Sequence, residues 1–161
     1  MYRMRSWSVR HVRWLKALYA VWESILRLFN PLFRLIGYRR VDGAFVAIEK
    51  VTKGFLLDSQ SCGQCIVSYT GMSCPMNCPK QIRNGPCGGV RDNGKCEVHP
   101  EMDCVWVKAW EGNKRGHDGD YRETPIQMVQ PAVDFRLIGT SAWLRELRHK
   151  SNYDGPEVVA E

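Results

Sequence analysis

The sequence predicts a small, mainly α chain with irregular loops at its centre. Three observations carry that expectation. Apolar residues recur at helical spacing near the N-terminus. All seven cysteines fall between Cys62 and Cys104, separated by two, eight, three, eight, eight and seven residues. Beyond residue 112 the chain turns polar and is punctuated by proline. The expected order is N-terminal amphipathic helices (1–58), a cysteine-rich metal-bound core (59–112) and an extended partner-docking tail (113–161) with a disordered end.

The bulk numbers narrow the class. A chain of 161 residues is one domain with arms. Its net charge of +6 is unevenly spread. Residues 1–40 carry nine Lys/Arg against one acid, Glu23, and the remainder is close to balanced. A basic arm suits nucleic acid, an anionic membrane surface or an acidic partner protein. A secreted disulfide scaffold is disfavoured by the odd cysteine count and by Arg10, Arg13 and Lys16, which interrupt any signal-peptide core. The uncharged run Ala17–Trp22 is far shorter than the roughly 20 residues a bilayer requires. A transit peptide would share the Arg-rich, acid-poor character, but this segment is dense in Trp and Leu and continues into further apolar sequence. The expectation is a cytoplasmic protein with reduced thiols.

The first helix is read over residues 7–29. Trp7, His11, Trp14, Leu18, Val21, Ile25 and Leu28 form its centre line, flanked by Leu15, Trp22 and Phe29 on one side and Val12, Tyr19 and Leu26 on the other. The arc is wide, which suits packing against later helices and docking on a partner. Asn30 before Pro31 predicts a stop and a second helix over 31–36, closed by Gly37. Asp42 reads as the N-cap of a third helix from Gly43 to Leu57, with Val41 and Val46 as a staple. Phe45, Ile48, Val51 or Thr52, and Phe55 share one of its faces.

The cysteines follow. Cys62-Gly-Gln-Cys65 is a turn that points two thiolates inward toward one metal. A redox CxxC is the competing reading, without the βαβ pattern that usually surrounds it. Cys74-Pro-Met-Asn-Cys78-Pro places two more thiols on proline-constrained turns. Cys62, Cys65, Cys74 and Cys78 make a four-thiolate set. Cys87, within the Gly-rich NGPCGG, then Cys96 and Cys104 remain for a second site, with His99 or Asp103 as possible fourth ligands; buried apolar thiols are the plain alternative. Thiolate-only ligation, Cys-Pro and Gly-rich loops lean toward [4Fe–4S], one or two clusters, with Zn²⁺ as the alternative.

These residues resemble a known family. Cys62-Gly-Gln-Cys65, Thr70-Gly-Met-Ser-Cys74-Pro, Cys78-Pro-Lys80, Arg83-Asn-Gly-Pro-Cys87-Gly-Gly89 and the later Cys96–Gly112 look like the cysteine-rich methylenetetrahydrofolate reductase C-terminal-like domain. The resemblance is specific over about residues 42–112 and looser outside. It implies the small subunit of a two-subunit methylenetetrahydrofolate reductase, holding iron–sulfur or zinc. The partner would be a flavin-containing (FMN or FAD) catalytic barrel, with an upstream electron carrier possible. The ligands carried over are Cys62, Cys65, Cys74, Cys78, Cys87, Cys96 and Cys104. No catalytic residue is implied here: the chain has no room for a barrel of about 250 residues, and no dinucleotide-binding glycine motif. The second function class is a structural zinc module, binding a partner or, less well supported, nucleic acid.

The tail is expected to be thin. Cys104–Trp110 reads as a short helix, residues 111–125 as a polar loop, and Ser141 as the cap of a last helix, Ala142–His149. Residues 1–36 and 125–148 are expected to lie on a partner, and 151–161 to be disordered.

Overall fold

The computed structural model describes residues 2–116 and 130–151. Five helices form the frame: α1 (Tyr2–Arg10), α2 (Val12–Ile36), α3 (Tyr38–Leu57), α4 (Val105–Gly116) and α5 (Ala142–Lys150). Among the described residues two single 3₁₀ turns, Pro75–Asn77 and Phe135–Leu137, punctuate the loops. Among the described residues there is no strand, only one isolated antiparallel bridge, Lys95 to Asp103. The small, mainly helical class therefore stands, and no helix among the described residues is long and apolar enough to cross a membrane.

The helix expected over 7–29 is split by a bend at His11, whose ring nitrogen meets the Trp7 carbonyl at 2.9 Å. The predicted stop at Asn30 is a correction: α2 runs through Pro31 to Ile36. Proline removes one ladder hydrogen bond, but the apolar face continues across it. Phe33 packs edge-on against Phe45 of α3 at 5.4 Å, and the Asn30 side-chain carbonyl accepts from the Tyr38 hydroxyl. Packing outweighs the local break, so no separate helix over 31–36 exists.

α3 begins at Tyr38, directly after Gly37, so Asp42 is not its cap and Val41–Val46 is not an entry staple. Asp42 lies inside the helix, buried, accepting the backbone N–H of Ser141 at 3.1 Å. Burial, partly offset by that hydrogen bond, pushes its carboxyl pKa up. One turn pair further on, Glu49 accepts from the Ser141 hydroxyl and from the Trp143 N–H (2.9 Å) while pairing with Lys53 at 2.7 Å. The Lys53 ammonium also sits 4.4 Å from the Trp143 ring. The inward face of α3 is thus Tyr38, Asp42, Glu49, Lys53 and Leu57, largely polar. Ile48, Val51 and Phe55 point outward, the last two about 70% exposed (71% and 69%).

This arrangement exists to receive α5. Ser141 caps it as expected, its hydroxyl accepting from Leu144 N at 3.2 Å. Leu26, Tyr38, Trp143, Leu144 and Leu147 form one core cluster with Trp22 and Phe33 against it. α5 accordingly lies on the chain's own α2 and α3, within the stretch 125–148 expected to lie on a partner, of which 125–129 fall outside the described residues. α1 is also internal: Arg5, Ser8 and Val9 are buried, and Arg5 pairs with Asp58 at 2.9 Å. The polar loop expected from residue 111 begins later, because α4 continues to Gly116. Residues 117–129 and 152–161, with the disorder expected at the end, fall outside the described residues.

Candidate metal centre

The cysteine region starts where α3 ends. Asp58 closes α3 in the left-handed conformation (φ 52°), fixed by Arg5 and by Asn77, whose side-chain amide donates to the Asp58 carbonyl at 2.7 Å. The chain is thereby turned into Cys62-Gly-Gln-Cys65. Gly63 has φ 72°, and a Cβ there would strike the Leu137 carbonyl and the Thr140 hydroxyl. Only glycine lets this turn lie against the returning tail. Gln64 also ties it there, donating to the Asp134 carbonyl at 2.8 Å.

The next motif, Thr70-Gly-Met-Ser-Cys74, is seated on α4. Gly71 (φ 55°) and Gly112 touch backbone to backbone, and a Cβ on either would collide with the other strand of chain. Around that contact several polar groups are met, although the Asn113 Oδ1 finds no partner among the described residues. Asn113 donates to the Tyr69 carbonyl (2.8 Å), Ser73 to Val105 O (3.2 Å), Thr70 to Ser73 O (2.7 Å) and Ser8 to Met72 O (3.2 Å). The sequence motifs contain both glycines but not their contact; Gly71 also lies in a turn of its own, which accounts for it locally.

Cys62, Cys65 and Cys74 are brought together around one small cavity of about 10 Å³, with Lys53, Met76 and Arg83 on its walls. The N–H of Gln64 is directed at Cys62, and those of Gln60 and Met76 at Cys74. Burial raises the Cys62 thiol pKa, and drives that of Cys74 up to about 11. Left alone these thiols stay protonated at neutral pH; a bound cation removes the proton outright.

The remaining cysteines have different settings. Cys78 is partly exposed at the end of the Pro75–Asn77 turn, its N–H donating to Pro75 O at 3.0 Å. Cys87 is exposed, with Glu97 at 3.4 Å and the Gly89 N–H at 3.4 Å from its sulfur. Cys96 and Cys104 are buried on the Lys95–Asp103 ribbon, where Cys96 N meets Met102 O and Cys104 N meets Gly94 O, both at 2.9 Å. His99 is exposed beside Glu101 at 3.5 Å, and Asp103 is engaged by Lys95 and Lys108. Trp106 is buried with its indole N–H on Ile82 O at 3.1 Å, while Trp110 is exposed.

Among the described residues, no three His, Cys, Asp or Glu side chains stand close enough to hold one metal ion. The chemistry of the inner trio still suits a thiolate-bound group: three sulfurs on one cavity, backbone N–H donors aimed at two of them, and cationic side chains on the wall. A polynuclear cluster spreads its ligands wider than a single ion does.

Fold and site together define a small helical domain whose cysteine loops are clamped between helices. The family model described as "Methylene-tetrahydrofolate reductase C terminal" matches residues 38–135, more than half of the chain, and the chain belongs to that family. Comparison with curated proteins and with solved structures finds no match.

Proposed function

We propose that this chain is the small, non-catalytic subunit of a methylenetetrahydrofolate reductase complex. In this reading it holds an iron–sulfur group on its thiols and docks on a separate flavin-containing catalytic subunit in the cytoplasm. The group would supply one-electron transfer; the chain's own residues hold it, shield it and place it. The observation that carries the reading is that the inner thiol loop and an exposed apolar face share a wall. α2 presents Trp14, Leu18, Val21, Ile25 and Leu28 to solvent, and α3 presents Ile48, Val51 and Phe55. Between them runs an apolar groove of about 210 Å³ whose lining includes Leu18, Trp22, Ile48, Leu56 and Met72. Met72 packs in the same core cluster as Cys62 and Cys74. A continuous exposed apolar face of this kind is a docking surface by default, and it abuts the loop that would carry electrons.

Anaerobic co-purification with iron, sulfide, zinc and flavin analysis tests the reading. The expected product is a brown complex with broad absorbance near about 400 nm and flavin in the larger subunit. Leu18→Glu with Val51→Glu is expected to abolish co-purification while leaving helicity and metal content unchanged. Colourless protein with stoichiometric zinc would sink the relay and favour a structural module. Normal co-purification of the double variant would sink the docking face.

A further inference from the structure

Arg83 is 5% exposed, and among the described residues no carboxylate reaches it. Its guanidinium spends its donors on backbone carbonyls. Nε and Nη2 reach Gln64 O at 3.3 and 3.0 Å, and Nη1 reaches Pro131 O at 2.7 Å. Gln64 lies between Cys62 and Cys65, so the side chain grips the CxxC turn from inside and ties it to the tail. A buried cation without an anion is costly, on the order of several kcal/mol.

The other cation on the cavity wall is different. Lys53 has Glu49 at 2.7 Å and the face of Trp143 at 4.4 Å, so its charge is already answered. Arg83 has no such partner among the described residues, and it lines the same cavity as Cys62 and Cys65.

We propose that Arg83 is the counter-cation of the Cys62–Cys65 thiolate pair: a positioning residue that holds the turn in its liganding conformation and sets the reduction potential of the group bound there. The inference rests on the proposed reading of these cysteines as bound thiolates. Two thiolates and a metal group carry net negative charge, and the guanidinium offsets it without competing as a ligand. Removing that charge disfavours the more negative, reduced state and lowers the potential.

The test uses the full chain, purified anaerobically, as wild type, Arg83→Gln and Arg83→Lys. Iron and sulfide analysis comes first; midpoint potentials follow from redox titration monitored by electron paramagnetic resonance. Arg83→Gln is expected to shift the midpoint to more negative potential. Arg83→Lys, which keeps the charge and loses the fork, is expected to stay near wild type. Arg27→Gln with Glu23→Gln, which deletes an exposed ion pair on α2 away from the cavity, is expected to leave it unmoved. A folded Arg83→Gln protein at the wild-type potential overturns the proposal, as does an equal shift in the Arg27/Glu23 variant. If Arg83→Gln does not fold, Arg83→Lys decides: a wild-type potential supports the charge role and a lowered one overturns it. Zinc in place of iron and sulfide would defeat the relay reading alone. The charge claim is then read by chelator competition, with Arg83→Gln weakening zinc about tenfold or more, Arg83→Lys restoring it, and equal affinity in all three overturning it.

Discussion

The inner cysteine loop, residues 62–74, and the outer one, residues 78–104, are built by opposite means. In the inner loop the rest of the protein dictates the backbone. Gly63 lies on the tail, Gly71 lies on α4, and the carbonyls of Tyr69, Met72 and Ser73 are met by hydrogen bonds. In the outer loop the chain mostly holds itself. Gly85, Gly88 and Gly94 also have positive φ, yet a Cβ on any of them would meet nothing within 4 Å. Cys87 is exposed and its neighbours come from the same loop. The inner thiols are therefore preorganised by the fold, and the outer ones by local turns.

The sharpest way to break that contrast is the same substitution in both places. Gly71→Ala forces a methyl into the Gly112–Asn113 backbone and keeps a left-handed φ. Overpacking of about 1–3 kcal/mol and the left-handed penalty of about 1–2 kcal/mol add, so a loss of about 2–5 kcal/mol is expected. Gly94→Ala meets only the second cost, about 1–2 kcal/mol. Urea unfolding of both variants in one metal state measures the difference. Equal losses would mean that the inner loop can shift away from α4.

A smaller effect separates the thiols themselves. Cys74 is 4% exposed within the apolar cluster of Leu57, Val67, Met72 and Met76. In metal-free protein Cys74→Ser places a hydroxyl there, at a cost of about 1–3 kcal/mol. Cys87→Ser, on the surface, is expected within about 0.5 kcal/mol of wild type. Chelator-treated protein in a thermal melt reads both. A large loss at Cys87 would show that the outer loop is as tightly built as the inner.

The contrast also explains what could be read in advance. Spacing exposed the cysteine motifs because a CxxC turn and a Cys-Pro turn are local, and Ser141 was recognisable as a cap because capping is local too. Contacts between distant segments were hidden. Asp42 and Glu49 resemble cap and solvent residues in sequence, and become buried only because the N–H groups of Ser141 and Trp143 arrive from far along the chain. The same distance hid the Gly71–Gly112 contact and the run of α2 through Pro31, which Phe33 and Tyr38 sustain. Periodicity found the apolar arc of α2, but not that half of it stays exposed: the division depends on where α5 lands.

The smallest expected effect lies in the outer loop, at Lys80 and Glu97. Hydrogen bonds from Lys80 and from the Cys87 thiol hold the Glu97 carboxyl below its ordinary range, and its bond to Glu97 raises Lys80. A lowered carboxyl pKa stabilises the fold above its unfolded value and loses that contribution as pH falls through the folded one. A raised lysine contributes below its unfolded value and loses the contribution as pH rises through the folded one. The pair thus acts between the carboxylate and lysine ranges, and both groups are largely in water, where screening weakens it. Glu97→Gln is expected to lower the denaturation midpoint slightly at pH 7, and the gap from wild type to close as pH drops below the carboxylate range. Midpoints across that range provide the measurement. A gap that persists in acid would mean that Glu97 supports the loop by shape rather than charge, through its close fit over Gly89.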